Sequence, residues 1–247
     1  MKPELAGMIL FDKPTGWTSH DAVNAFRRFL PAHEKAGHCG TLDPLATGLL
    51  IILAGRTRKL QAHMQGLDKV YYGTIKLGVT TDSGDITGKV LEKRPVPHLI
   101  LPDIQAVFDQ YLGEISLPAP VFSAVKHKGK PLYHYARKGI SVPEKPRKST
   151  VYRWEVLNYD PHSGEIENRL SCSSGTYVRA LAEGAGTKLG CGAIVQTLRR
   201  EKIGPFSVDE AINLESLKGF KIEDIKNLLE AGTMKLFQFA SEIKTKG

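Results

Sequence analysis

A single carboxylate, Asp43, lies in the stretch AGHCGTLDPLATGLLIILAG, residues 36–55, between a glycine-rich segment and an apolar run. A residue before proline is biased towards extended conformations, so Pro44 restricts the direction of this side chain. An aspartate in a turn usually hydrogen-bonds its own backbone, and the residues alone favour that role. The alternative is a carboxylate nucleophile, which needs a fixed position and a neighbouring cation that keeps it ionised.

Few other side chains in the sequence could share such chemistry. Arg179 lies at the start of a predicted amphipathic helix and is a candidate cation, although a surface arginine would fit the same pattern. His38 and Cys39 are adjacent, but neighbours in a loop seldom face each other as a thiol–imidazole pair needs. Tyr71 and Tyr72 follow each other on a predicted strand and so point to opposite faces. One of these tyrosines is expected in the core, and the other is available to cover a ligand.

Motifs for metals and nucleotide cofactors do not fit the sequence. In GDITGKV the glycine spacing is short and Val90 replaces the serine or threonine that a phosphate loop needs. GAGTKLG lacks the glycine spacing of a dinucleotide site. The histidines are not at metal-ligand spacing, and no nucleophile elbow is present. The sequence therefore predicts an activity without metal or cofactor.

The composition of the chain limits the kinds of partner it can bind and the cellular compartment it fits. The net charge is +8 and the isoelectric point is about 9.3, which favours an anionic partner. The three cysteines, Cys39, Cys172 and Cys191, form no C-x-x-C pair, which argues against a disulfide framework or a zinc site. The N-terminus lacks a signal-peptide profile, and the longest apolar run, LLIILA, is too short to cross a bilayer. A cytoplasmic protein with no membrane partner is expected.

The basic charge is concentrated in one segment, from Lys126 to Arg153. It contains nine Lys or Arg residues and one acid, Glu144, so its net charge of +8 equals that of the whole chain. Basic residues alternate there with aromatic ones such as Tyr133 and Tyr135, a composition that suits phosphates with bases to stack on. A solvated, flexible loop is the alternative. The neutral remainder of the chain favours contact with nucleic acid.

Periodicity indicates strands and helices without a regular strand–helix alternation. Strands are predicted at 7–11, 48–55, 69–79, 151–160, 165–173 and 193–204, and helices at 18–30, 101–113 and 175–190. Segment 88–94 is expected to pair with strand 69–79. This mixture predicts an α+β architecture around a mixed, mostly antiparallel sheet.

Several ordered motifs resemble one enzyme family. GHCGTLDPLATGLL is similar to the catalytic motif of the TruB family of pseudouridine synthases, which isomerise uridine 55 in the T-loop of tRNA. The segments DKPTGWTSHD, DKVYYGTIKLGVTTDSGD, SAVKHKGKPLYHYARKG, CSSGTYVRAL and LGCGAIVQTLRR extend the resemblance from residue 8 to about 206. It implies the pseudouridine synthase fold, with helices flanking the central sheet and a basic insertion at about 121–153.

The resemblance also implies roles for individual residues. Asp43 matches the essential aspartate, Arg179 the arginine that pairs with it, and Tyr71 the tyrosine that stacks on the target base. His38 matches a histidine that holds the T-loop open after the base flips, and Leu198 an apolar residue beside the base. Further residues assigned to the substrate side are Lys13 (with Pro14, a brace of the active-site floor), Tyr177, Lys126, Lys128 and Lys130. No cofactor and no metal are implied.

Domain organisation and partners are expected to follow the stand-alone bacterial branch. Residues 1–210 would form the catalytic domain and 211–247 a short helical segment without an RNA-binding module of the PUA type. The expected partner is the T stem-loop of tRNA, bound by a monomer without guide RNA. Two alternatives remain: a tRNA-folding chaperone with incidental catalysis, and an aspartate-based hydrolase that would release uracil.

Overall fold

The computed structural model describes residues 5–123, 125–136, 138–140, 142–143 and 146–245. Within the predicted basic segment, Arg137, Glu144 and Lys145 therefore lie outside the described residues. The chain divides into two compact units. The first unit contains the residues up to Asp68 and those from Arg199 onward, and the second unit is Lys69–Leu198.

Strands outnumber helices among the described residues. The strands are β1 (Gly7–Lys13), β2 (Ala36–Cys39), β3 (Thr47–Ala54), β4 (Lys69–Leu77), β5 (Val79–Thr81), β6 (Val90–Lys93), β7 (Gly113–Pro118), β8 (Lys126–His127), β9 (Lys130–Pro131), β10 (Pro146–Asp160), β11 (Glu165–Cys172), β12 (Ala193–Ile203) and β13 (Phe206–Ser207). The α-helices are α1 (Ser19–Arg27), α2 (Gln61–Gly66), α3 (Leu101–Asp109), α4 (Leu132–Ala136), α5 (Val178–Lys188), α6 (Leu214–Lys218) and α7 (Ile222–Thr245). Short 3-10 helices span Gly55–Leu60 and Val208–Glu210. No described helix combines the length and apolar character needed to cross a bilayer.

Strand β3 is the centre of the first unit. It pairs antiparallel with β1 from Gly48 to Ala54 and antiparallel with β2. Its parallel pairing with β12 involves Thr47 and Gly48. Every side chain from Leu49 to Ala54 is buried, which explains why the strand reads as one continuous apolar run. Because β3 is covered on both faces, it fixes the position of the residues that directly precede and follow it.

Alternating residues of β1 and β3 face two apolar layers of the first unit. Ile9, Phe11, Leu50 and Ile52 pack with α1, α6 and α7, whose buried residues include Val23, Phe26, Leu217, Ile225 and Leu229. Residues of the other parity pack with Met64 of α2 and Phe206 of β13. Helix α1 starts with a capping box in which Thr18 and Asp21 exchange side-chain-to-backbone hydrogen bonds, so its first turn has a fixed position.

The second unit contains an antiparallel sheet in the order β4–β11–β10–β7, with the first residues of β12 beside β4. Trp154 on β10 is buried and stacks on Phe108 of α3, with ring centroids 3.8 Å apart. Its indole nitrogen donates to Asn168 on β11, and Asn168 donates to the Gly73 carbonyl on β4. These buried bonds tie three strands together beside Tyr71.

The predicted α+β class with a mixed sheet is confirmed, as are the main strands and helices, with ends shifted by a few residues. One local prediction is right only at one residue, and another is wrong. Segment 88–94 pairs with Val79, the last residue of the predicted strand 69–79, but not with β4, because Val79 belongs to the separate hairpin of β5 and β6. Residues 36–39 were expected in a glycine loop but form β2, because pairing with β3 overrides their weak strand propensity.

Candidate active site

The loop that carries Asp43 is anchored at every carbonyl from Gly40 to Leu45. We call these six residues the Asp43 loop. Arg200 donates to the carbonyls of Gly40 and Thr41, at 3.1 and 3.5 Å. Ser19 on α1 bonds both backbone groups of the next residue: its hydroxyl donates to the Leu42 carbonyl at 3.1 Å and accepts from the Leu42 amide at 2.8 Å. The first half of the loop is thus held by β12 and by α1.

The second half of the Asp43 loop is held by a turn and by the segment after β1. The Ala46 amide donates to the Asp43 carbonyl at 3.0 Å, which closes the turn. The Gly16 amide donates to the Pro44 carbonyl at 2.8 Å, and the Thr15 hydroxyl donates to the Leu45 carbonyl at 3.1 Å. Asp43 itself is half-buried. Its backbone therefore has one position, while its side chain keeps access to solvent.

Lys13 supplies a buried cation to this loop. Its side chain is completely buried, and its ammonium donates to the carbonyls of Pro14 and Trp17, at 2.9 and 2.7 Å. Burial lowers the pKa of Lys13 to about 8; the charge of Asp43 opposes this shift, whereas Arg200 adds to it and Asp21 opposes it. Lys13 and Asp43 therefore attract each other, and the first unit contains a counter-ion for the carboxylate.

His38 lies on β2, directly before the Asp43 loop. Its pKa is lowered first by burial and then by electrostatic interaction with Arg200 and His20, so the ring is neutral at pH 7. Its Nδ1 atom is buried without a hydrogen-bond partner in the described structure. Cys39 is fully buried on the next position of the strand, so the two side chains lie on opposite faces and do not form a thiol–imidazole pair.

Arg179 is not a surface arginine, the alternative that its position in a helix left open. It lies in the first turn of α5 and is only 4% exposed. Its two terminal nitrogens donate to the carbonyls of Ser83 and Phe122, both at 2.8 Å, and its Nε atom lies 3.9 Å from Asp85. Its guanidinium thus joins the loop after β5 to the first residues of the insertion. The pairing with Asp43 that the resemblance implies stays a prediction.

The two adjacent tyrosines of β4 separate as the strand alternation predicts. Tyr71 is buried, whereas Tyr72 is half-buried and its hydroxyl donates to Glu167. Leu198 on β12 and Tyr177, the residue before α5, are both half-buried in the second unit. The roles assigned to Tyr71, Leu198 and Tyr177 stay predictions.

The three lysines chosen from the basic segment share one hairpin. Strands β8 and β9 are joined by a two-residue turn at Lys128 and Gly129, both with positive φ, of 46° and 82°. This conformation matches the twist of the flanking strands. Lys126, Lys128 and Lys130 are all exposed. A cavity of about 570 Å³, lined mostly by apolar residues of the insertion together with Asp82, lies in the same unit.

Two buried charged groups at these sites were missed from the sequence. Arg200 follows another arginine in the last part of a strand, a position that looks exposed, and Asp85 looks like an ordinary loop acid. Asp85 is buried and accepts from the hydroxyls of Ser83 and Thr87. No signal in a single sequence separates these two residues from surface charges. Among the described residues no three His, Cys, Asp or Glu side chains come together as a metal site would require.

Comparison with known proteins identifies the family. The model of the TruB family pseudouridylate synthase N-terminal domain matches residues 27–178, more than half of the chain. The chain belongs to the TruB family. The model of the tRNA pseudouridylate synthase B C-terminal domain matches residues 179–231. The predicted boundary at residue 210 stays a prediction.

TruB relatives from bacteria are similar over most of their length. The tRNA pseudouridine synthase B of Endomicrobium trichonymphae is 48% identical over 210 residues, which cover 85% of this chain and 90% of that protein. The enzyme of the same name from Bordetella avium (strain 197N) is 44% identical over 216 residues, 87% of each chain. The chain is accordingly a tRNA pseudouridine synthase, an isomerase, as its motifs predicted.

Solved structures show the pseudouridine synthase fold. The chain is similar to a protein of a Cbf5–Nop10–Gar1 complex, with a TM-score of 0.66 and 28% identity over 89% of this chain. It also resembles a protein of an H/ACA ribonucleoprotein bound to a substrate RNA, with a TM-score of 0.63 and 26% identity. The chain spans 58% and 57% of the lengths of those two proteins.

Proposed function

We propose that this TruB enzyme isomerises uridine 55 in the T-loop of tRNA and that Asp43 performs the first chemical step, as nucleophile or as base. The reaction breaks the N1–C1′ bond, rotates the uracil and forms a C5–C1′ bond, so the product contains the same atoms as the substrate. The target base leaves its stack to be reached, which costs a few kcal/mol and less in a loop than in a paired stem.

The anchoring of the Asp43 loop carries this proposal. A turn aspartate that serves only its own backbone needs no such support, whereas six consecutive carbonyls here accept hydrogen bonds from α1, β12, the segment after β1 and the loop's own turn. Fixed placement of a reacting group can supply several kcal/mol of the barrier reduction, and a misplacement of about 1 Å can cost about 100-fold in rate. A charged Lys13 favours the ionised carboxylate that either mechanism needs.

The remaining residues receive the roles that the family resemblance implies. Arg179 would orient Asp43 and keep it ionised, and Tyr71 would stack on the uracil and assist a proton transfer. Leu198 would pack against the base, and His38, neutral at pH 7, would help hold the opened T-loop. Lys126, Lys128 and Lys130, all exposed on one hairpin, would bind phosphates.

The proposed partner is the T stem-loop alone, bound by a monomer in the cytoplasm without guide RNA. Similarity to proteins named tRNA pseudouridine synthase B supports a tRNA substrate. A synthetic T-arm hairpin would then be a sufficient substrate. Size-exclusion chromatography with light scattering would give the mass of one chain, and a dimer at working concentration would contradict that part of the proposal.

Mapping of pseudouridine in a treated tRNA tests the function. Sequencing after chemical labelling should find product at position 55 alone, with the wild-type chain and with an Asp109→Asn control, whose carboxylate is exposed on α3. Asp43→Asn should bind the RNA with unchanged affinity and form no product. Product at another uridine would contradict the assigned position, and an active Asp43→Asn chain would contradict the role of Asp43.

Two further assays separate the alternative functions. Release of free uracil would indicate a hydrolase. Complementation of an enzyme-deficient strain by Asp43→Asn as well as by the wild-type chain would indicate a chaperone. The proposal expects neither result.

A further inference from the structure

The edge of β3 next to the Asp43 loop contains a gap. One edge of this strand is occupied by β1 from Gly48 to Ala54. The other edge is shared, since β12 pairs only with Thr47 and Gly48 and β2 only with residues 51–54. Leu49 and Leu50 lie between these two partners. The Asp43 loop connects the end of β2 to the start of β3, so it borders the gap.

The side chain of Arg200 fills this gap. It is 1% exposed, and its Nε atom donates to the Leu49 carbonyl at 2.8 Å. The terminal nitrogens of the same guanidinium donate to the carbonyls of Gly40 and Thr41. One planar group thus links β3 to the first two residues of the Asp43 loop, with a geometry that a lysine amine cannot reproduce.

Backbone packing brings Arg200 to this place. Gly48 has φ +101°, and a Cβ atom on it would lie 2.3 Å from the Arg200 carbonyl oxygen and 2.7 Å from its nitrogen. Gly40, at the other end of the contact, has φ +88° and would place a Cβ atom 3.6 Å from the guanidinium. Glycine at position 48 therefore allows β3 and β12 to come this close, whereas at position 40 it is the positive φ that favours glycine.

The electrostatic surroundings make Arg200 an unfavourable choice for stability alone. Its charge is buried near two other basic side chains, since it lowers the pKa of both Lys13 and His38. A buried charge contributes little or nothing to stability compared with a well-packed apolar residue. Its three hydrogen bonds to backbone carbonyls indicate instead that Arg200 holds the backbone of β3 and of the Asp43 loop together.

We propose that Arg200 is a positioning residue, which fixes the backbone of Gly40 and Thr41 and through it the direction of Asp43. The inference rests on the proposed role of Asp43. Loss of the three hydrogen bonds from Arg200 should slow the chemical step by about 100-fold, the effect expected from a misplacement of about 1 Å. RNA binding should change little, since the side chain is buried and does not reach solvent.

Two substitutions test this role, and a neighbouring arginine provides the control. Arg200→Lys keeps the charge, but its single nitrogen cannot take the positions of the three guanidinium nitrogens that bond Leu49, Thr41 and Gly40. Arg200→Met keeps most of the volume but donates no hydrogen bond. Both should lower kcat on a T-arm hairpin by about 100-fold, with KM within threefold of wild type. Arg199→Lys, on the same strand and in an ion pair with Asp12, should keep kcat within threefold. If Arg200→Met does not fold, Arg200→Lys alone decides.

Hydrogen exchange separates positioning from general stability. In Arg200→Lys the amides of Leu42 and Ala46 should exchange at least tenfold faster, whereas the amides of β1 and α1 should keep their wild-type rates. Wild-type kcat in the Arg200 variants would overturn the inference, as would equal acceleration of exchange throughout the first unit or a rise in KM alone. An active Asp43→Asn chain would instead refute the proposed role of Asp43, whatever the Arg200 variants do.

Discussion

The Asp43 loop and the lysine hairpin β8–β9 hold their candidate functional side chains in opposite ways. In the loop, six consecutive carbonyls are bonded and the surrounding residues are mostly buried, including Lys13, Ser19 and Arg200. In the hairpin, Lys126, Lys128 and Lys130 are exposed on a two-residue turn. Bond-making chemistry needs one geometry, whereas attraction of a phosphate backbone tolerates many. Substitutions in the two regions should therefore have different kinetic signatures.

Gly48→Ala should cause the largest damage to the loop. The new side chain would need a positive φ and would meet the Arg200 backbone, which together cost about 2–5 kcal/mol. We expect a loss of thermal stability and at least a 100-fold loss of turnover. Gly113→Ala is the matched control, since Gly113 also has positive φ but no atom within 4 Å of the added carbon. Equal melting temperatures for the two variants would contradict the packing argument.

Ser19→Ala should loosen the loop without removing a charge. The Leu42 amide loses its acceptor in a buried place, at a cost of about 1–3 kcal/mol. Turnover should fall by about tenfold with KM unchanged. Thr57→Ala also removes a hydroxyl, one whose single hydrogen is shared between the carbonyls of Gly7 and Ala54, outside the Asp43 loop. Its melting temperature should also fall while kcat stays at the wild-type value; equal losses of kcat in both variants would contradict the assignment.

Replacement of the three hairpin lysines by glutamine should affect only binding. Each phosphate contact contributes a slope of about −0.7 to −0.9 to the dependence of log affinity on log salt concentration. In the triple variant this slope should become less steep by about 2–3. Its kcat at saturating RNA should stay at the wild-type value. A control with Lys218, Lys221 and Lys226 replaced, on and beside the C-terminal helices, should keep the slope. An unchanged slope in the hairpin variant would indicate that the basic segment is a solvated loop that does not contact the RNA.

The smallest effect is expected from pH. The folded pKa of Lys13, about 8, lies below its ordinary value of 10.5, so between these values the unfolded chain binds the proton more strongly. The contribution of Lys13 to the free energy of unfolding therefore increases as the pH rises through this window. Turnover should fall severalfold above pH 8, because Asp43 loses a counter-ion. A pH–rate profile of Lys13→Met should lack this alkaline decline; the same decline in both proteins would assign it to another group.

Sequence patterns predicted the parts of the fold whose signal is local. The apolar run of β3 is visible in the sequence, because a strand covered on both faces excludes polar side chains. The start of α1 is also visible, because Thr18 and Asp21 have the residue types and spacing of a capping box. Pairing partners are not local: β6 joins β5 and β2 joins β3 through contacts that no short window encodes.

The candidate site residues, Lys13 among them, were proposed from motifs, whereas most of the residues that hold the Asp43 loop were not. Asp43 was singled out by its surroundings in the sequence, but the residues that hold its loop come from distant segments, at Ser19, Thr15 and Arg200. Burial of Arg200 results from the gap that β2 and β12 leave on β3, a property of the assembled sheet. The burial of Arg179 likewise depends on segments distant in the sequence, which contribute the carbonyls of Ser83 and Phe122.

Amide hydrogen exchange in the RNA-free protein tests most directly whether Asp43 is held in place before its substrate arrives. The Leu42 and Ala46 amides donate within the loop region to Ser19 and Asp43. We predict that both are protected as strongly as amides of β3 and that a T-arm hairpin leaves their rates unchanged. Exchange as fast as in an unstructured peptide, or protection that appears only with RNA, would contradict the account.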